Sequence, residues 1–166
     1  MSDLFGQEKM LALNWKPPFG SAMLIGKDET RVWDTKYRGL VLICNSKVGY
    51  SIPALEGITG LKQYNRLKAA VFPVRHTLYY FGMAIAVGHL VNCRPMLPAD
   101  EDKTFVQYRA PWVEEREGKD GRIRKYHRRL YCHIYEDVRE IEPFPWQGSQ
   151  GWTEVSEEIK AKIKFR

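Results

Sequence analysis

Residues 40–44 form an uninterrupted apolar run, Leu-Val-Leu-Ile-Cys, with a glycine before it and Asn-Ser-Lys after it. A run this short and this apolar is typical of a β-strand that is covered on both faces. Residues 79–91 carry the strongest β signal, because large apolar side chains there are interleaved with small ones. The chain is therefore expected to build a sheet with a buried centre.

The remaining pattern predicts short strands mixed with helices. Further strands are predicted at residues 10–15, 29–34, 104–108 and 129–139. Helices are predicted at residues 18–25, 59–71 and 156–163, the last with Ser156 as its N-cap, and residues 48–56 are expected to be irregular. The sum is an α+β domain in which five or six strands form a small mixed barrel or curled sheet, with two or three flanking helices.

Length and composition fit one intracellular domain. A chain of 166 residues suits a single domain, expected at residues 10–166 after a polar leader at 1–9, with a charged hairpin or loop insertion at about 113–129. Neither a signal peptide nor an apolar run long enough to span a bilayer is present, so a cytoplasmic protein without a membrane partner is expected. The three cysteines have no metal-ligand spacing, and no cofactor or metal is expected.

Net charge is +6, which favours acidic partners such as nucleic acid. The row Glu29, Arg31 and Trp33 would lie on one face of the strand predicted at 29–34, and an acceptor, a cation and an aromatic plate suit a nucleobase. The alternative is an exposed strand face held by ion pairs, with Trp33 half-buried. Lys16, at a strand end before two prolines, could reach the same pocket, or the turn could be purely structural.

A second basic segment lies at residues 122–129, where Tyr126 and His127 interrupt five cations. Such interleaving is found in nucleic-acid-binding segments. Because acidic residues precede it at 114–117, the alternative is a solvated hairpin whose two arms neutralise each other. The common motifs of serine hydrolases, zinc proteases, P-loop proteins and dinucleotide-binding proteins are missing from the sequence.

The chain contains the motifs Trp15-Lys16-Pro17-Pro18, Gly26-Lys27, Glu29-x-Arg31-x-Trp33, Tyr37-Arg38-Gly39, an apolar strand ending in Ser46-Lys47, and a closing segment from Ile141 to Trp152. Together they resemble the ASCH domain family, well over residues 10–47, fairly over 130–155 and loosely over 79–97. The resemblance implies a PUA-like β-barrel with a cleft beside the Lys/Glu/Arg motif. Members are thought to bind RNA or modified nucleotides, and some hydrolyse N4-acetylcytidine or RNA.

Two departures from the family pattern favour binding over catalysis. Lys27 lies two residues before Glu29 instead of three, and Glu29 stands where the hydrolytic members have a threonine. We therefore expect a module that binds RNA or a modified nucleotide. The alternatives are a hydrolase with Lys27 and Glu29 as the catalytic pair, and an interaction protein with a vestigial cleft. The predicted nucleic-acid-binding residues are Lys16, Lys27, Glu29, Arg31, Trp33 and Arg38, extended by Arg122, Arg124, Lys125, Arg128 and Arg129.

Overall fold

The computed structural model describes residues 4–166 and shows a mixed α+β fold. Four α-helices are present in this part of the chain: α1 (Phe19–Met23), α2 (Ile52–Val71), α3 (Glu101–Thr104) and α4 (Glu157–Lys162). Its eight strands are β1 (Met10–Trp15), β2 (Glu29–Arg31), β3 (Gly39–Asn45), β4 (Met83–Pro95), β5 (Trp112–Glu117), β6 (Ile123–Arg128), β7 (Tyr131–Pro145) and β8 (Thr153–Glu154). Two 3₁₀ segments, Phe72–Tyr79 and Pro98–Asp100, precede β4 and α3.

Six strands form one curled sheet in the order β2-β7-β4-β3-β1-β8. The sheet is an open half-barrel, since β2 and β8 are its two edges, so of the two forms expected the curled sheet is correct and the closed barrel is not. β1 and β3 are parallel neighbours, and the other pairs in this sheet are antiparallel. β5 and β6 form a separate two-stranded hairpin.

The centre of the sheet is covered on both faces, as the apolar run at 40–44 predicts. Val41 and Ile43 of β3 pack in a cluster with α1 and α2, whereas Leu40 and Leu42 pack in a second cluster beside α4 and Phe165. Side chains alternate between the faces of a strand, so a strand between two apolar layers must be apolar throughout.

Two predicted elements are wrong. Residues 104–108 are not a strand: α3 ends there, with Phe105 in a left-handed conformation at φ 57°. Residues 48–56 are not wholly irregular, because α2 begins at Ile52 with the Ser51 hydroxyl accepting a hydrogen bond from the Ala54 amide at 3.3 Å. A serine followed by a proline in the first turn is a helix-start signal that the sequence already contained.

Several predicted boundaries also move. The strand predicted at 29–34 ends at Arg31, because its only partner, β7, begins at Tyr131 opposite Arg31. The strand predicted at 79–91 runs from Met83 to Pro95. The segment at 113–129, expected to be a charged hairpin or loop insertion, contains the β5–β6 pairing. The Ser156 cap is confirmed, since its hydroxyl accepts from the Ile159 amide at 3.2 Å.

The leader expected at residues 1–9 lies partly outside the described residues. From residue 4 onward it contacts the body: the Phe5 ring packs edge-on against Phe165 at 5.8 Å, and Lys160 donates a hydrogen bond to the Glu8 carbonyl at 2.6 Å. Among the helices of residues 4–166, none combines the length and apolar character needed to cross a bilayer.

Candidate nucleic-acid interface

A cleft of about 1140 Å³ lies where the parallel strands β1 and β3 end. Trp15 is in register with Asn45, so Lys16 and Lys47 both follow the carboxyl ends of their strands at the same end of the sheet. Parallel strands bring their carboxyl ends together, and the chain that follows them is then free to form a concave site. Lys16 and Lys47 are far apart in the sequence, but they lie at the same rim of the cleft because β1 and β3 are parallel neighbours.

The cleft lining combines cations with aromatic rings. Four basic side chains line it, Lys16, Arg31, Lys47 and Arg109, while Glu29 is the only carboxylate among the lining residues of the described chain. The aromatic lining residues are Trp15, Phe19, Trp33, Tyr50, Trp112 and Trp146. Flat apolar surfaces under a net positive charge favour planar, anionic ligands.

Glu29 is the centre of a buried ion-pair network. One carboxylate oxygen accepts hydrogen bonds from Lys27 Nζ at 3.1 Å and from the Thr30 amide at 2.8 Å. The other accepts from Arg31 at 3.3 Å, and the same Arg31 nitrogen donates to the Asn14 carbonyl at 2.7 Å. The Arg31 guanidinium also lies over the Trp15 ring, 5.2 Å from its centroid. Arg31 is thus fixed in the cleft wall by contacts on several sides.

Burial and the neighbouring opposite charges shift the pKa values of Glu29 and Lys27 in opposite directions. Burial by itself would raise the pKa of Glu29, but the charges of Lys27 and Arg31 and the Thr30 amide outweigh it, and the pKa is lowered. Burial lowers the pKa of Lys27, and the charge of Glu29 only partly offsets this. Glu29 is therefore ionised and serves as the counter-charge for two cations.

Lys27 lies behind the cleft wall rather than in it. Its side chain is 0% exposed, and its ammonium contacts Glu29, the Asp28 carbonyl at 2.8 Å and the Phe19 ring at 4.8 Å from the centroid. Because Lys27 is not among the lining residues, a ligand in the cleft meets Glu29 and Arg31 first. In this conformation Lys27 affects a ligand in the cleft only by pairing with Glu29.

Trp33 is a half-buried wall residue held by an aromatic cluster. Its ring meets His133 edge-on at 4.8 Å and Trp152 at 5.7 Å, and Trp152 in turn packs against Tyr37 at 5.4 Å. His133 Nε2 lies 2.9 Å from the Trp33 carbonyl oxygen, where it acts as the donor. Burial lowers the pKa of His133, so the imidazole is neutral near pH 7. These contacts fix the ring before any ligand arrives.

The segment from Trp146 to Gly151 closes one side of the cleft. The Asn14 side-chain amide donates to the Ser149 carbonyl at 3.0 Å, and the Trp146 amide donates to the Gly82 carbonyl at 2.9 Å. A Cβ on Gly148 would overlap the Asn14 side chain, so only glycine allows this close approach. The loop therefore depends on β1 and on the start of β4 for its position.

Three cleft-lining residues carry buried polar atoms that have no hydrogen-bond partner within the described chain. They are the Trp15 indole nitrogen, Arg31 Nε and Asn45 Oδ1. The Asn45 amide nitrogen, by contrast, donates to the Thr77 carbonyl at 3.0 Å, which fixes the side chain. Buried polar groups without partners are rare in folded proteins. The residues that line the cleft thus include two donors and one acceptor without hydrogen-bond partners in the described chain.

The structure brings together four of the residues predicted for the site: Lys16, Glu29, Arg31 and Trp33 all line the cleft. Arg38 does not line it. Its guanidinium donates to the Thr35 and Tyr37 carbonyls at 2.9 and 2.8 Å and supports the turn into β3. Also outside the lining are Arg122, Arg124, Lys125 and Arg128, which belong to the β5–β6 hairpin or its turn, and Arg129, which follows it. Their binding roles remain predictions.

The cleft is also lined by Lys47, Arg109 and Trp112, which were not among the predicted site residues. Lys47 had a signal, because it ends the strand motif in the family resemblance. Arg109 and Trp112 had none, since their place depends on the path between α3 and β5. Within residues 4–166, no three His, Cys, Asp or Glu side chains cluster as metal ligands would.

No protein-family model matches this chain, and no curated protein matches it either. The function must therefore be inferred from the geometry of the cleft.

Proposed function

We propose that this protein is a PUA-like, ASCH-type module that binds RNA or a modified nucleotide in the cleft at the ends of β1 and β3. One observation carries the proposal: four cations and six aromatic residues surround a single carboxylate in one concave site. Cationic grooves with aromatic platforms are the usual means of holding single-stranded nucleic acid.

Each group has a chemical task in this proposal. Lys16 and Lys47 at the rim meet phosphate, since flexible ammonium groups act as point charges. Arg31, already held by Glu29 and Asn14, presents its remaining donors to a base edge or a phosphate. Trp33 offers a ring that its aromatic neighbours keep in place. The volume slightly exceeds the range of about 300–1,000 Å³ typical of small-molecule sites, which suits a nucleotide with part of its flanking strand.

Burial of Lys27 favours binding over hydrolysis. A catalytic amine must reach the reacting atom, whereas the Lys27 ammonium is enclosed by Glu29, the Asp28 carbonyl and the Phe19 ring. Glu29 accepts three hydrogen bonds from the chain itself, which weakens it as a base. Glu29 then holds Arg31 in place, and Lys27 balances part of the charge of Glu29.

Fluorescence anisotropy with a labelled, mixed-sequence, three-nucleotide RNA tests the proposal. We expect Lys16→Glu/Lys47→Glu to lower affinity by about tenfold or more and to flatten the salt dependence by about 0.7 per lost phosphate contact. Arg31→Gln should lower affinity while the circular dichroism spectrum stays unchanged. The matched control is the double charge reversal Lys162→Glu/Lys164→Glu, at and just after the end of α4, which packs on the other face of the sheet; it should bind as the wild type does.

Two results would displace the proposal. Equal affinity of the wild type and Lys16→Glu/Lys47→Glu at every salt concentration would point to an interaction protein with a vestigial cleft. Turnover of N4-acetylcytidine or RNA that is abolished by both Lys27→Ala and Glu29→Gln would replace binding with hydrolysis.

A further inference from the structure

The β5–β6 hairpin has two chemically different faces. Residues directly opposite each other in its antiparallel register share a face. One face, called the arginine face, holds Trp112, Glu114, Arg116, Arg124, Tyr126 and Arg128. The other, called the acidic face, holds Val113, Glu115, Glu117, Ile123, Lys125 and His127. Three arginines and one glutamate give the arginine face a charge of +2, whereas one lysine and two glutamates give the acidic face −1.

Side-chain contacts show that the arginine face is a ladder of cations and rings. The Arg116 and Arg128 guanidinium groups lie 5.7 and 5.3 Å from the Tyr126 ring centroid. Glu114 pairs with the same two arginines at 3.0 and 3.1 Å, which holds them over the ring. Arg124 pairs with Asp120 at 2.9 Å. The contacts confirm that these side chains share one surface.

The arginines keep hydrogen-bonding capacity for a ligand. A guanidinium has five N–H donors, and Arg116 and Arg124 each use one terminal nitrogen for a carboxylate. Their side chains are 60% and 55% exposed. Each can therefore contact a phosphate without first losing its partner.

The arginine face continues directly from the cleft. Trp112, its first residue, lines the cleft, and so does Arg109, whose guanidinium lies over the Trp112 ring at 3.9 Å. From Trp112 the face extends along the strand toward Arg116, with same-face residues about 6.8 Å apart. Cations and rings thus run from the interior of the cleft onto the hairpin.

We propose that the arginine face of the β5–β6 hairpin is a binding track for single-stranded nucleic acid that leaves the cleft, so that the protein recognises a nucleotide within a strand. The inference rests on the proposed function of the cleft. Outward from the cleft, phosphates contact first Arg109 and Arg128 and then the opposing pair Arg116 and Arg124. Trp112 and Tyr126 stack with bases. Stacking needs unpaired bases, which a duplex does not offer.

The experiment compares a three-nucleotide RNA with a twelve-nucleotide single strand of RNA, the same sequence as DNA, and the twelve-base-pair RNA duplex. The test variant is Arg116→Gln/Arg124→Gln. Its matched control, Lys119→Gln/Lys162→Gln, removes the same charge from the turn of the hairpin and from α4, outside the arginine face. All four side chains are exposed, so both variants should keep the wild-type fold.

We expect the twelve-nucleotide strand to bind about tenfold or more tightly than the trimer. The test variant should lose most of that gain, leave trimer affinity unchanged and flatten the salt slope for the strand by about 1.4, the effect of two lost phosphate contacts. Tyr126→Ala should weaken strand binding about fivefold or more through lost stacking. The control variant should bind the strand as the wild type does.

Three outcomes would overturn the track. They are equal losses in the two double variants, no gain of the strand over the trimer, and tighter binding of the duplex than of the strand. Failure of the proposed function has a separate signature, since trimer binding would then be insensitive to Lys16→Glu/Lys47→Glu. Equal affinity for the RNA and DNA strands would support the inference and show that the sugar is not recognised, whereas tighter binding of RNA would support it and indicate contact with the 2′-hydroxyl groups.

Discussion

Glu29→Gln gives the sharpest test of the buried network, because it removes a charge that two cations share. Lys27 would keep the Asp28 carbonyl at 2.8 Å but lose its only adjacent ion-pair partner among the described residues, while Arg31 keeps the Asn14 carbonyl and partial contact with solvent. The glutamine amide has one acceptor oxygen and one NH2 group, so one of the two cations would also face N–H donors. The main consequence is an uncompensated charge on fully buried Lys27.

The expected destabilisation is large for a single isosteric change. Breaking a buried ion pair by removing one partner costs about 3–5 kcal/mol, a substantial part of the roughly 5–15 kcal/mol that stabilises a typical domain. With a urea slope of about 2 kcal/mol/M, the unfolding midpoint should fall by about 1.5–2.5 M. Lys27→Met should cost less, below about 2 kcal/mol, because Glu29 keeps Arg31 and the Thr30 amide.

Urea unfolding followed by tryptophan fluorescence measures all three variants, including Lys27→Met/Glu29→Gln. The double variant should be more stable than Glu29→Gln alone, since the Lys27 ammonium without a counter-charge has been removed.

The pH dependence of the unfolding free energy gives a second readout. In Glu29→Gln the folded pKa of Lys27 falls further below its unfolded value of 10.5, so the unfolded chain binds more protons between the two values and stability rises as the pH increases toward 10.5. A loss below about 1 kcal/mol in Glu29→Gln, or a larger loss in Lys27→Met, would refute this account.

Two further predictions concern packing and pH. Gly20→Ala should lower the unfolding free energy by about 1–3 kcal/mol, because the new Cβ overlaps Asn45 Oδ1. Gly57→Ala has open space around its Cβ and should be neutral or stabilising in the same urea assay. Equal effects of the two changes would contradict the packing argument. Wild-type stability should fall as pH drops below the ordinary histidine pKa of about 6.5, since the unfolded chain then binds a proton that buried His133 does not. His133→Gln should reduce that fall, and an unchanged slope would exclude His133 as its source.

Local patterns were sufficient where a structure depends on neighbouring residues. The apolar run at 40–44 predicted a strand covered on both faces, and Ser156 predicted a helix start. The same local reasoning failed at 104–108, where β-like composition was overridden by the helix that begins after Pro98–Asp100. It also extended β2 beyond Arg31, because a strand ends where its partner ends, and the partner lies about a hundred residues away in the sequence.

The candidate site likewise has features that the sequence predicted and features that depend on tertiary contacts. Sequence alternation placed Glu29 and Arg31 on one face, and their contact at 3.3 Å agrees with it. It could not indicate that Lys27, two residues from Glu29, is enclosed behind the cleft wall, because that depends on how α1 brings Phe19 against it. Nor could it bring Arg109 and Trp112 into the cleft.

By itself, the sequence determined the mixed α+β composition, the buried strands, the net positive charge and the two charged segments at residues 27–38 and 113–129. Only the tertiary structure decided that β1 and β3 run parallel, so that Lys16 and Lys47 meet at one edge, and that the hairpin presents its arginines and its acids on opposite faces. The physical reason is that residue type and spacing fix what a segment can form and which side chains alternate. Pairing between distant segments then fixes where those side chains converge.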